Sequence, residues 1–309
     1  MKLMKKMIAA LTLTGLLAAS LGLSAFADDA ANVATLTEQQ VTKHLVMAES
    51  LDVPDAEFSF AVTAVTADAP AVTIGSISYS SADDKGTLST EGVYTVDKSA
   101  DITFGTFPHA GTYEYTVTET TGSAEGITYD STSYTMTVYV ANGSDGALAV
   151  QRIIVEADNG KQYELSFTNT YCKNGSLTIT KNTEGDLADK TKDFAFTITF
   201  IKSGTESDSV TSYTGKIGEE PIECTIGQET SFYLHDGESL VFDDLPVGTR
   251  YVVTEVAAAD GYTPSVSVIE NGEQTVTSNT TAEENALSTA NAGFSNLVGK
   301  NENSVVFTN

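Results

Sequence analysis

Short runs of alternating side chains constrain this chain more than any other feature. Phe58-Ser-Phe-Ala-Val-Thr, Tyr113-Glu-Tyr-Thr-Val-Thr, Tyr134-Thr-Met-Thr-Val-Tyr-Val, Phe194-Ala-Phe-Thr-Ile-Thr-Phe and Tyr251-Val-Val-Thr are rich in β-branched and aromatic residues. Their period is two, the spacing at which a strand buries one face and wets the other. Turn dipeptides fall between the runs: Asp145-Gly146, Asn159-Gly160, Asp260-Gly261 and Asn271-Gly272. Short strands broken by frequent turns predict an all-β chain of immunoglobulin-like sandwiches.

The N-terminus follows a different rule. Lys2, Lys5 and Lys6 precede an apolar run from Met7 to Leu23, and Ala25-Phe26-Ala27 supplies a small-x-small cleavage site. Residues 1–27 read as a secretory signal peptide, with Asp28 as the mature N-terminus. No later stretch is long and apolar enough to span a bilayer. Of 16 basic residues three are in this leader, so 13 face 42 acidic ones, a net charge of −29. A field of that sign repels phosphate and argues against nucleic-acid or anionic-membrane partners.

The 282 residues after the leader suggest two domains. Cys172 and Cys224 are the only cysteines, which excludes a disulfide-dense scaffold, so an exported chain of this kind needs another source of robustness. Cys172 lies in the expected linker and Cys224 well inside the second half, so they are read as unpaired. His44, His109 and His235 are scattered, and no metal motif, phosphate loop, dinucleotide fingerprint or Gly-x-Ser-x-Gly is present. No cofactor is expected.

The chain repeats itself once. Val41-Thr-Lys43 with Phe58-x-Phe60-x-Val62 answers Ile179-Thr-Lys181 with Phe194-x-Phe196-x-Ile198. Phe107-Pro108 leading to Tyr115-Thr-Val-Thr-Glu119 answers Leu245-Pro246 leading to Tyr251-Val-Val-Thr-Glu255, and Ser166-Phe-Thr-Asn169 answers Val306-Phe-Thr-Asn309. Lys to Glu is 76 and 74 residues, and Glu to Asn is 50 and 54. The expected domains are 34–171 and 175–309, with 172–174 as linker.

Side chains two apart on a strand share a face. Lys43 shares its face with Val41 and Leu45, and Lys181 with Leu177 and Ile179. Glu119 follows Tyr115 and Val117, while Glu255 follows Tyr251 and Val253. Asn169 follows Leu165 and Phe167, and Asn309 follows Val305 and Phe307. Each half therefore sets one Lys, one Glu and one Asn on apolar faces, where unpaired charges are costly. Burial lowers a lysine pKa and yields a neutral amine nucleophile, and it raises a glutamate pKa so that a protonated carboxyl can donate to the Asn carbonyl. Amine attack on the Asn carboxamide, with Glu moving protons, releases ammonia and leaves an amide cross-link.

Thr42-Lys43, Tyr115-Thr-Val-Thr-Glu119 and Phe167-Thr-Asn169 resemble the motifs of streptococcal-type pilin isopeptide domains, and Thr180-Lys181, Tyr251-Val-Val-Thr-Glu255 and Phe307-Thr-Asn309 repeat the pattern. The resemblance implies two tandem CnaB-type sandwiches of a Gram-positive pilus backbone subunit exported to the cell wall. It implies Lys43–Asn169 and Lys181–Asn309 isopeptide bonds, with Glu119 and Glu255 as the catalytic acids and bases of single-turnover reactions and no activity on external substrates. Each bond would join the first and last strands of its domain. Its partners would be other pilin subunits joined by a sortase, with a surface-exposed acceptor lysine. Lys161 is the expected acceptor, ahead of Lys85, Lys98 and Lys173. Such pilins continue past the last Asn into a sorting signal and anchor, and such a segment is expected to follow Asn309. An adhesin stalk binding a host protein or glycan is the alternative function. An exported hydrolase finds no nucleophile–base constellation here.

Overall fold

The computed structural model describes residues 39–144, 146–259, 261–278, 285–290 and 296–309. The expected leader at 1–27 lies outside the described residues, as do Asp145 and Asp260 of two predicted turns. The described residues build two successive β-sandwiches.

In the first sandwich, one sheet runs in the order Val72–Ile74, Val93–Phe104, Gln40–Ala48, Leu165–Tyr171 and Ile127–Thr128. The other runs Gly160–Gln162, Leu148–Ala157, Ser133–Asn142, Gly111–Glu119 and Phe60–Ala64. In the second sandwich, the larger sheet is ordered Glu220–Thr225, Ser212–Ile217, Ser239–Pro246, Asn174–Asn182, Ser304–Thr308, Ser265–Glu270 and Glu273–Ser278. Facing it are Thr230–Leu234, Phe194–Ile201, Arg250–Glu255 and Leu287–Ser288.

Most neighbours are antiparallel, as hairpin connections require. The pairs that close each sandwich are parallel: Gln40–Ala48 beside Leu165–Tyr171, and Asn174–Asn182 beside Ser304–Thr308. Strands so far apart in the chain come together through tertiary packing, and no turn sets their register. The alternation does so instead. Leu165, Phe167, Asn169 and Tyr171 point inward, as do Val41, Lys43, Leu45 and Met47, and a one-residue slip would turn either set to water.

Local chemistry serves the turns. Asn271 (φ 53°) and Gly272 (φ 86°) both adopt left-handed backbone, which a two-residue type I′ turn needs between Ser265–Glu270 and Glu273–Ser278. Aromatic rings fill both cores: Phe167 sits between Phe60 and Tyr134, and Phe196 between Phe232 and Phe307. Burying each such side chain contributes about 1.5–3 kcal/mol.

The two sandwiches also pack on each other. Val247 of the second lies in an apolar cluster with Leu45, Met47, Leu51 and Tyr171 of the first. The Val247 amide donates to the Lys173 carbonyl at 2.8 Å, and Arg250–Glu49 and Lys300–Asp52 ion pairs flank the contact. Gly204 and Gly248 allow close approach. A Cβ on Gly204 would meet the Glu91 carbonyl oxygen at 2.6 Å, and one on Gly248 would meet the Ala48 Cβ at 2.8 Å.

Candidate functional site

Parallel pairing builds the first site. Lys43 lies opposite Phe167 and Leu45 opposite Asn169, so Lys43 and Asn169 are diagonal neighbours on one inward face. Glu119, the last residue of Gly111–Glu119, reaches them from the opposing sheet. Lys43 and Asn169 are fully buried and Glu119 nearly so. Glu119 Oε1 sits between the reacting groups, 3.4 Å from Lys43 Nζ and 2.9 Å from Asn169 Nδ2. Lys43 Nζ also donates to the Phe167 carbonyl at 3.1 Å, and the Phe58 ring centroid is 4.9 Å away.

The second site repeats the plan. Lys181 lies opposite Phe307 in the parallel register, two residues before Asn309. Glu255 ends Arg250–Glu255, with Oε1 3.2 Å from Lys181 Nζ and 2.6 Å from Asn309 Nδ2. All three side chains are buried, and the Phe194 ring is 4.2 Å from Nζ. Both lysine amines thus sit on an aromatic face beside a single carboxyl.

Burial dominates the electrostatics. It pushes the Lys43 pKa down to about 8, against the opposing pull of Glu119 and Asp130. Burial also lowers Lys181, opposed by Glu255 and Asp236, and raises Glu119 and Glu255, opposed by their lysines. Each pair is thereby moved toward an uncharged amine beside a protonated carboxyl, since desolvation penalises the charged form of both. An amine in that state carries the free lone pair a nucleophile requires.

The sequence-derived candidates are thus gathered into two groups: Lys43, Glu119 and Asn169, and Lys181, Glu255 and Asn309. The geometry departs from expectation at the carboxamide. Each Asn presents its nitrogen, not its carbonyl oxygen, to the carboxyl. In the first site the oxygen turns away because a main-chain N–H claims it: the Asp130 amide donates to Asn169 Oδ1 at 2.7 Å and to Glu119 Oε2 at 3.2 Å. Asp130 was not singled out from sequence. It lies in a turn without alternation, and only its tertiary position gives it a role.

Lys161 is exposed on Gly160–Gln162, the edge strand of its sheet, just after the Asn159-Gly160 turn. Of its competitors, Lys98 pairs with Asp83 at 2.7 Å and Lys85 donates to the Leu51 carbonyl at 2.8 Å, while Lys173 is exposed at the junction. Both cysteines are free. Among the described residues no cluster of His, Cys, Asp and Glu is placed to hold a metal, and no helix is long and apolar enough to cross a membrane.

Each of two successive all-β sandwiches thus buries one Lys from its first strand, one Asn at its last strand and one Glu from the facing sheet. Residues 39–172 match the family described as the Spy0128-like isopeptide containing domain. Residues 175–296 match a domain of unknown function, DUF7601. A pilin of Streptococcus pyogenes serotype M1 is 35% identical over 180 residues, 55% of this chain and 53% of that protein. The pilus tip adhesin Cpa of S. pyogenes is 43% identical over 84 residues, 27% of this chain and 12% of the adhesin. The chain therefore spans about half the length of the pilin and far less of the adhesin. Among solved structures, a major pilin (T3.2) of S. pyogenes is 26% identical, covering 89% of this chain and 99% of its own, with a TM-score of 0.40.

Proposed function

We propose that this chain is a backbone subunit of a surface pilus, organised as domains 34–171 and 175–309 joined at 172–174. Each domain is stapled by an isopeptide bond that it makes itself, Lys43 to Asn169 and Lys181 to Asn309. The observation that carries this reading is the recurrence of one arrangement: a buried amine and carboxamide on adjacent parallel strands, with one carboxyl oxygen within 3.4 Å of both nitrogens. A lone buried lysine is often a structural accident, whereas the same three groups in two cores need a chemical reason.

The reaction follows from the distances. Lys43 passes a proton to Glu119, and the neutral Nζ attacks Asn169 Cγ. Glu119 then delivers that proton to Nδ2 as the Cγ–Nδ2 bond breaks and takes a second one from Nζ, which is left as an amide N–H. One N–C bond forms, one breaks, ammonia leaves, and the carboxyl ends protonated. Glu255 does the same for Lys181 and Asn309. The fold supplies the proximity that replaces a bimolecular encounter. Each chain reacts once per site and turns over no external substrate.

Pilin relatives support assembly with other subunits outside the cell, with a leader at 1–27 directing export and a sortase joining chains. Lys161 is the acceptor in this reading, because it is exposed on a sheet edge where an extended peptide could lie alongside. The partial match to a tip adhesin keeps a second reading in play, in which the same modules form a stalk that binds a host protein or glycan. The test is the intact mass of the purified chain. It should fall short of the sequence mass by two ammonia molecules. A chain at full mass, correctly folded, would refute the cross-links.

A further inference from the structure

The two sites share their lysine, carboxyl and carboxamide, but they treat the carboxamide oxygen differently. In the first, Asn169 Oδ1 accepts a 2.7 Å hydrogen bond from the Asp130 main-chain N–H. In the second, Asn309 Oδ1 is buried and has no hydrogen-bond partner among the described residues. Asn309 Nδ2 is turned toward Glu255 and the Ala258 carbonyl, 3.2 Å away. That carbonyl is an acceptor, and it cannot steady an oxygen that gains charge.

The Asp130 N–H does not hold its aim by chance. The Asp130 carboxylate bridges two main-chain amides, Thr132 through Oδ1 at 2.8 Å and Thr168 through Oδ2 at 2.7 Å. Thr168 is the residue immediately before Asn169. One side chain therefore ties the 130–132 turn to the strand that carries the reacting carboxamide. Burial works to raise the Asp130 carboxyl, but the hydrogen bonds from Thr132 and Thr168 prevail and hold it below the usual carboxylate range, so it stays ionised as an acceptor for both.

We propose that Asp130 is the positioning residue of an oxyanion-stabilising device that, among the described residues, the first site has and the second lacks, so that the Lys43–Asn169 bond forms before the Lys181–Asn309 bond. This rests on the cross-linking reading above. As Lys43 Nζ adds to Cγ, the Cγ–Oδ1 double bond opens and negative charge collects on Oδ1. The Asp130 N–H already points there, and a donor fixed in advance in a water-free core pays no reorganisation as charge develops. When Cγ–Nδ2 breaks and ammonia leaves, the charge returns to a carbonyl that the same N–H continues to bind. In the second site no described residue offers Oδ1 such a donor.

The experiment is a time course on the full chain made by cell-free translation, quenched in denaturant and digested, with the mass of each cross-linked peptide followed separately. The second site serves as an internal clock in every sample. In the wild type the Lys43–Asn169 peptide should lose its ammonia first. Asp130→Ala should slow that bond about 10- to 100-fold, less than the roughly 10²–10³-fold cost of deleting such a donor, since the N–H remains and only its aim is lost. Asp130→Asn keeps one of the two accepted hydrogen bonds and should fall between. The Lys181–Asn309 bond should keep its rate in both variants.

A merely electrostatic role predicts the reverse. The Asp130 carboxylate favours the Lys43 ammonium, so removing it would speed both variants alike, and that result would overturn the proposal. Equal slowing of both bonds by Asp130→Ala, the mark of a general folding defect, would also overturn it. So would a wild type whose two bonds form together. A wild-type chain whose first site never loses ammonia is a different failure, because it removes the cross-linking reading itself.

Discussion

Glu119→Gln isolates the cross-link from its surroundings. Glutamine fills nearly the same volume, so the core keeps its packing and no cavity term enters. What it lacks is a carboxyl able to take a proton from Lys43 Nζ, 3.4 Å away, and return one to Asn169 Nδ2, 2.9 Å away. Without that relay the bond should not form. The bond would tie Lys43 to Asn169 across a sequence separation of 126. Chain-entropy reasoning gives the closure of a loop that long about 5 kcal/mol of stabilisation, drawn from the unfolded state. Spread over a sandwich of this size, with unfolding entropy near 2.1 cal/mol/K per residue, that corresponds to a fall in Tm of roughly 15–20 °C. Scanning calorimetry paired with peptide mass supplies the assay. The variant should regain one ammonia in the first sandwich only, and the transition assigned to that sandwich should drop by this amount. Retention of the ammonia deficit would refute the relay. Loss of the bond with a shift below about 5 °C would refute the entropic argument, which requires several times that.

Three further outcomes follow from the same structure. In Asn169→Ala the amine stays buried but cannot be acylated, and its pKa near 8 lies below the ordinary 10.5; the unfolded chain then binds more protons between these values, so stability in urea should rise by about 3 kcal/mol from pH 7 to above 10, relative to a Lys43→Met control. Stability that stays flat or falls over that window would contradict the burial argument. Lys161→Arg should abolish joining of subunits by a co-expressed sortase while leaving both ammonia losses intact; polymers of normal length would assign the acceptor elsewhere. Gly204→Ala places a methyl 2.6 Å from the Glu91 carbonyl, which is main chain and cannot swing aside. It should loosen the two sandwiches and speed trypsin cleavage after Lys173, and an unchanged digestion rate would show that the junction yields without cost.

Much of this architecture was legible in the primary structure because it depends on local rules. Alternation in Tyr113-Glu-Tyr-Thr-Val-Thr or Phe194-Ala-Phe-Thr-Ile-Thr-Phe reports which side chains face inward wherever a strand is half buried. The Asn271-Gly272 turn was equally readable, since few residue pairs tolerate its backbone. Lys43, Glu119 and Asn169 stood out as polar residues in apolar registers, and the second half repeated the anomaly. Alternation assigns a face but says nothing about which strand lies beside which. That Gln40–Ala48 pairs in parallel with Leu165–Tyr171, setting Lys43 diagonal to Asn169, follows from how the sheets close. The turn of the carboxamide and the Asp130 amide that meets it belong to the same category. A main-chain donor has no residue type to betray it, and its direction exists only once distant segments have packed. Residue order thus determined which groups would leave water, and tertiary structure alone decided which of them would meet and in what orientation.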